Sequence, residues 1–299
     1  MASLTSFSKV IMNITLQGYI PISQGTMFYR IYGEGFPILV LHGGISIDHL
    51  YLMPSLLELA QHNKLIFYDR RGVGKSSDTP YTPEFLNIPQ FIDDIEKIYT
   101  YFNYEKITIL GHSWGAFLAM EYAIAHPEKV SSLILISPCP ATYEGQQKYT
   151  TLNNQRSDSV KDIMKPLASF EEFSQLRAHD INTMYRVLFA NECYNPNDVN
   201  KLTLQFDQKS GQNGYKSMMI LAQNSWLQKE TNLLPALKNL SISTLIIHGD
   251  HDTIPVECSQ EIHQALSPSQ LVIIPECGHY PFAEQPLLCF GAIHNFLRK

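Results

Sequence analysis

Short, wholly apolar runs alternate with segments of helical spacing through the first half of the chain. Residues 38–41, 65–68, 107–110 and 130–136 read as buried strands, because a strand covered on both faces needs no polar alternation. Between them, residues 50–60, 91–102 and 116–125 place apolar side chains at helical intervals. Pro54 marks the start of the main part of the first helix, and His126-Pro127 stops the third. Residues 14–32 alternate apolar and polar around Gly18 and Gly25, which predicts two early strands in a hairpin. From Cys139 to Leu234 the strand signal fades, and Gln, Asn, Lys and aromatic residues fall at helix-like spacing. Alternation resumes with a strand at 243–247, a helix at 256–266, a strand at 271–274 and a helix at 287–297. Core, insertion, core is the order expected of an α/β fold with a mostly parallel central sheet flanked by helices. The expected domains are a core from 1–138 and 236–299, with a helical cap insertion at 139–235.

The strand at 107–110 runs into Gly111-His112-Ser113-Trp114-Gly115, and a helix follows. This is a Gly-x-Ser-x-Gly turn in the strand–turn–helix setting that presents a serine as a nucleophile. A serine hydroxyl needs a base within hydrogen-bond reach and an acid to orient that base. In this sheet type the partners follow in the order Ser, Asp or Glu, His, in loops after strand ends. The strand at 243–247 leads to His248-Gly249-Asp250-His251-Asp252, so Asp252 is the expected acid, with Asp250 and Glu144 as the other carboxylates. The strand at 271–274 leads to Cys277-Gly278-His279, which makes His279 the expected base. His42, His112, His248 and His251 compete for that role. His112 lies inside the turn and cannot fold back onto Ser113, and His42 is expected to support its own loop by hydrogen bonds. An oxyanion hole needs backbone N–H donors. Trp114, next after the serine, supplies one. The loop His42-Gly43-Gly44 supplies the second through Gly44, with Gly43 the other choice.

Bulk properties narrow the partners. The chain has 299 residues, 44% of them hydrophobic, enough to bury a large core. A net charge of -6 without a lysine or arginine run argues against nucleic acid. Five scattered cysteines without a Cys-x-x-Cys pair fit a reducing compartment rather than a disulfide frame or a zinc site. The first twenty residues lack the apolar core of a signal peptide, and no stretch approaches the roughly 18 apolar residues of a membrane span. A cytoplasmic, non-membrane protein is expected. Gly72-Val73-Gly74-Lys75-Ser76 is not a phosphate loop, since Asp69 stands where that motif needs glycine. His248, Asp250, His251 and Asp252 match no zinc spacing, so no metal is assigned.

With these residues in place the chain resembles the α/β-hydrolase superfamily and, within it, the prolyl aminopeptidase (proline iminopeptidase) group. The likeness rests on 39–44 (Leu-Val-Leu-His-Gly-Gly), 66–76 (Ile-Phe-Tyr-Asp-Arg-Arg-Gly-Val-Gly-Lys-Ser), 111–115, and the pairing of Gly249–Asp252 with Gly278-His279. It implies a Ser113-Asp252-His279 triad, no cofactor, a helical cap, and cleavage of small amides or esters. The chain departs from the group's usual patterns where Ile45-Ser46 follow Gly44, where His112 precedes the serine, and where Asp69-Arg70-Arg71 stands. The segment Asn191-Glu192-Cys193-Tyr194 resembles a cap segment that carries an ammonium-binding glutamate, which makes Glu192 the substrate-binding candidate. Glu230, Asp207 and Asp180 are the candidate second acids. Tyr185, Phe189, Tyr194, Phe206 and Trp226 are expected to pack rather than touch substrate. The expected activity is a serine hydrolase that removes N-terminal proline or a small apolar residue from short peptides. The alternative is a carboxylesterase or lactonase, and a non-catalytic small-molecule receptor of the same fold is the third reading.

Overall fold

The structure, a computed structural model, describes residues 14–44, 46–153, 158–224 and 228–298. The expectations for Trp226 and for a leader within residues 1–13 lie outside the described residues.

Eight strands form one sheet: β1 (Leu16–Ile22), β2 (Gly25–Tyr32), β3 (Phe36–Leu41), β4 (Asn63–Tyr68), β5 (Ile107–His112), β6 (Val130–Ile136), β7 (Ser243–Gly249) and β8 (Ser269–Ile274). Their spatial order is β1-β2-β4-β3-β5-β6-β7-β8. The β1–β2 hairpin adds to β4 antiparallel, and every pairing from β4 through β8 is parallel. This is the α/β hydrolase fold expected from the sequence. Successive residues of β3 serve opposite faces, Leu39 and Leu41 joining one core cluster and Ile38 and Val40 the other. That two-sided burial is why the strand reads as a continuous apolar run.

The described helices are α1 (Ile88–Phe102), α2 (Trp114–Ala125), α3 (Tyr143–Asn153), α4 (Asp158–Met164), α5 (Phe170–Ser174), α6 (Ala178–Ala190), α7 (Gln208–Asn224), α8 (Leu234–Leu237), α9 (Val256–Ala265), α10 (Pro281–Glu284) and α11 (Pro286–Leu297). Side chains of α1, α2 and α9 join the core on one face of the sheet, and those of α11 join it on the other. The helix expected at 50–60 is instead two 3₁₀ segments, His49–Leu52 and Ser55–Gln61. Pro54 lacks an N–H and disfavours helical backbone at the preceding residue, and Met53 is extended (φ -99°, ψ 147°). Helices α3–α8 lie between β6 and β7 in the chain. Among them α7 presses onto the loop after β3, where a Cβ on Gly214 would come within 1.9 Å of the Ser46 carbonyl. Residues 72–76, which lack the phosphate-loop pattern, form a tight turn closed by Gly72 N–H donating to Ser76 O at 2.8 Å. Because β3, β5, β6, β7 and β8 run the same way, the loops that follow them collect at one edge of the sheet. Among the described residues, no helix is long and apolar enough to cross a membrane.

Candidate active site

Ser113 sits between β5 and α2 with φ 55° and ψ -120°, a strained conformation for a residue with a side chain. The flanking glycines make the turn possible. A Cβ on Gly111 would lie 2.5 Å from Ala116 Cα, and one on Gly115 would lie 2.1 Å from Leu41 O. Backbone bonds hold the turn: Ser113 N–H donates to Ile136 O at 2.9 Å, and Ser113 O accepts from Ala116 and Cys139 at 3.0 and 3.1 Å.

Asp252 and His279 come from the loops after β7 and β8, 27 residues apart in the chain, and meet. His279 Nδ1 lies 2.8 and 3.0 Å from the two oxygens of Asp252, whose side chain is fully buried. Asp252 Oδ1 also accepts from Ile254 N–H at 2.9 Å. Burial disfavours the Asp252 carboxylate, but the charges of His279 and His248 and its hydrogen bonds prevail and lower its pKa to about 2. Burial likewise disfavours the imidazolium of His279, but Asp252, with Glu192 and Glu284 adding to it, raises its pKa to about 9. Ser113 and His279 line one cavity of about 210 Å³. In this rotamer the Ser113 hydroxyl meets Cys139 Sγ at 3.8 Å and makes no hydrogen bond to His279. Such bonds are often long or absent before substrate binds. Burial pushes the Cys139 thiol up to about 12, so it is not a competing thiolate nucleophile.

The other candidates have other partners. Asp250 accepts from Cys277 N–H at 3.2 Å and pairs with His251 at 2.7 Å, bracing the loop, while Glu144 is exposed on α3. His248 is buried between Ile254 O (2.9 Å) and the Ser259 hydroxyl (2.8 Å). His42 accepts from Arg70 N–H through Nε2 at 3.1 Å, so its proton sits on Nδ1 and is donated to Gly43 O at 2.9 Å. That carbonyl belongs to the same peptide unit as the Gly44 N–H, so His42 fixes the plane of the expected oxyanion donor. Gly43 N–H is already engaged with the Tyr51 hydroxyl at 2.7 Å. Gly44 and Trp114 both line the cavity, and Trp114 opens α2, where an N–H has no partner within the helix.

Glu192 also lines this cavity, its carboxylate accepting from the Tyr280 hydroxyl and its carbonyl accepting from His279 N–H at 2.9 Å. The candidate second acids lie elsewhere. Asp180 pairs with Arg177 at 3.0 Å, Asp207 accepts from Ser210 N–H at 2.8 Å, and Glu230 is exposed. Of the aromatics, Phe189 stacks on Tyr280 at 5.1 Å and lines the cavity, Tyr185 packs on Phe206 at 4.8 Å, and Tyr194 packs on His251 at 4.7 Å.

Two residues escaped sequence reasoning. Tyr51 joins Gly43 to His112: its hydroxyl meets His112 Nδ1 at 2.6 Å, and His112 Nε2 meets His279 O at 2.9 Å. A carbonyl only accepts, so His112 carries its proton on Nε2, and Tyr51 donates to Nδ1 while accepting from Gly43. Glu284 on α10 accepts from the N–H groups of Tyr194, Gly278 and Tyr280 at 2.7, 3.0 and 2.8 Å, clamping the His279 loop. Its one signal in the sequence is an acid closing the short turn that begins at Pro281.

Residues 37–286 match the family described as the alpha/beta hydrolase fold, and the chain belongs to that family. It is a serine hydrolase, and a prolyl aminopeptidase-like one. A proline iminopeptidase from Clostridium botulinum is 34% identical over 303 residues, spanning 96% of this chain and 99% of the relative. A proline iminopeptidase from Heyndrickxia coagulans is 28% identical over 300 residues, spanning 95% and 99%. The solved structure of an alpha/beta fold family hydrolase from Bacillus anthracis superposes with a TM-score of 0.77 at 20% identity, covering 95% of this chain and all of that one.

Proposed function

We propose that the protein removes an N-terminal proline, or another small apolar residue, from short peptides through an acyl-enzyme. In this reading His279 takes the proton of Ser113 as its oxygen bonds to the scissile carbonyl carbon. Asp252 holds the proton-bearing Nδ1 in place and stabilises the imidazolium that forms. The N–H groups of Gly44 and Trp114 receive the oxyanion, and losing one such donor costs about 3–4 kcal/mol of transition-state stabilisation. His279 then passes its proton to the leaving amine as the C–N bond breaks. Water enters by the same base and restores the serine. Glu192 binds the substrate ammonium by a charge-assisted hydrogen bond.

One observation supports this reading above the others. The Asp252–His279 pair and Ser113 open onto the same cavity as a carboxylate, Glu192, set among apolar side chains such as Ile47, Phe189 and Met218. A carboxylate there has no use for a neutral acyl group but suits a free N-terminus. The second reading, a carboxylesterase or lactonase, draws support from the lack of a second lining acid among the described residues and from the Tyr280 hydroxyl already on Glu192.

The deciding experiment measures proline β-naphthylamide and p-nitrophenyl acetate hydrolysis by the wild type and Ser113→Ala. The aminopeptidase reading expects both reactions, each lost in the variant. Ester hydrolysis without amide hydrolysis would select the second reading. Equal rates in wild type and variant would remove Ser113 from the mechanism.

A further inference from the structure

A second cavity, of about 440 Å³, adjoins the first and shares Tyr149, Glu192 and Met218 with it. Its volume lies within the roughly 300–1,000 Å³ of small-molecule sites. The inner chamber holds the reacting groups. The outer chamber holds none of them and is bordered instead by Lys161, on α4, and Lys165, which opens the 3₁₀ turn that follows it. Among the described residues, the charged groups lining it are these two cations and Glu192 at the shared wall. Lys165 Nζ lies 2.7 Å from Asp162, and both groups of that pair are exposed to water.

We propose that the outer chamber seats the departing part of the substrate, and that Lys161 and Lys165 select one ending in a free α-carboxylate, as in a di- or tripeptide. The inference rests on the aminopeptidase reading. If Glu192 holds the N-terminal ammonium, the substrate has nothing beyond that residue on its acyl side. Whatever fills the chamber past Glu192 then belongs to the leaving side. The charge fixed to the far end of a short peptide is its carboxylate, and two lysines line the chamber that would receive that end. The Asp162–Lys165 pair does not oppose this, because an exposed ion pair is weak and exchanges partners readily.

The test compares kcat/KM for Pro-Gly-Gly and its C-terminal amide at low and high salt, in wild type and in a Lys161→Gln/Lys165→Gln variant. The free acid is expected to be favoured about 3- to 10-fold at low salt, the range for partly screened pairs. That preference should shrink toward one as salt rises, and should collapse toward one in the variant. Equal cleavage of the two peptides by the wild type would overturn the proposal, as would a preference that survives in the variant. Cleavage of neither peptide by protein that still hydrolyses p-nitrophenyl acetate would instead sink the aminopeptidase reading, and this inference with it.

Discussion

Tyr51→Phe isolates a single oxygen atom. The ring is 2% exposed and sits among Phe189, Tyr280 and Phe282, with centroids 5.9, 6.4 and 6.5 Å away, so phenylalanine keeps the packing. What disappears is the acceptor for Gly43 N–H (2.7 Å) and the donor to His112 Nδ1 (2.6 Å). Burial lowers the His112 pKa to about 3, so its ring is neutral and cannot turn Nδ1 into a donor while Nε2 serves His279 O. Two buried polar groups are therefore stranded, at about 1–3 kcal/mol each. The expected loss is about 2–6 kcal/mol of stability, or a Tm lowered by roughly 3–10 °C in a chain of this size. The freed Gly43 also loosens the peptide that aims Gly44 N–H, so kcat should fall about 10- to 100-fold, the order seen when reacting groups shift by an ångström. Thermal unfolding at pH 7.5 and p-nitrophenyl acetate kinetics measure both. A Tm within about 2 °C of wild type, with kcat intact, would show that the Gly43–Tyr51–His112 chain carries neither load.

Three further outcomes are expected. Asp252→Asn should lower kcat by about four orders of magnitude with a smaller change in KM, because the amide favours the wrong imidazole tautomer; a loss below tenfold in steady-state assays would exclude Asp252 as the orienting acid. Glu192→Gln should move the acid limb of the kcat/KM–pH profile to lower pH, since Glu192 is one of the charges that raise the His279 pKa; an unmoved limb would place its carboxylate outside the site's field. Stability should peak near pH 6.5. His42 and His112 both have pKa values lowered to about 3 by burial, so below 6.5 the unfolded chain binds protons that the folded one refuses, at about 1.4 kcal/mol per pH unit for each. His279, raised to about 9, contributes stability that is complete below 6.5 and lost as pH climbs through 9. Urea unfolding from pH 4.5 to 9.5 checks this, and a flat profile below 6.5 would contradict it.

What the chain announced in advance was whatever depends on local pattern. The apolar run of β3 and the Gly-x-Ser-x-Gly turn are local statements, and the structure places both where the spacing put them. The strand–helix alternation implied a parallel sheet, and that carries Asp252 and His279 to one edge, because loops at the ends of parallel strands gather there. The 49–61 segment was misread because helical spacing of Leu56, Leu57 and Leu59 is equally compatible with a 3₁₀ turn, and the backbone break before Pro54 decides between them. Tyr51 and Glu284 were invisible for a different reason. Each acts through backbone N–H groups distant in sequence or unexceptional in type, and nothing in periodicity marks a tyrosine that meets a glycine eight residues away.

The bracing bonds also say which parts of the site move together. His279 N–H donates to Glu192 O, and Glu284 takes the Tyr194 N–H together with two from the His279 loop. Gly278 lies so close that a Cβ there would sit 2.2 Å from Glu192 O. The 192–194 segment and the base loop are therefore one mechanical unit, although 85 residues separate Glu192 from Cys277 in the chain. His112 ties the same loop to the Ser113 turn through His279 O, and Tyr51 extends the tie to the loop after β3. A movement of Glu192 would drag His279 with it, so the positions of the two side chains are coupled by the backbone itself.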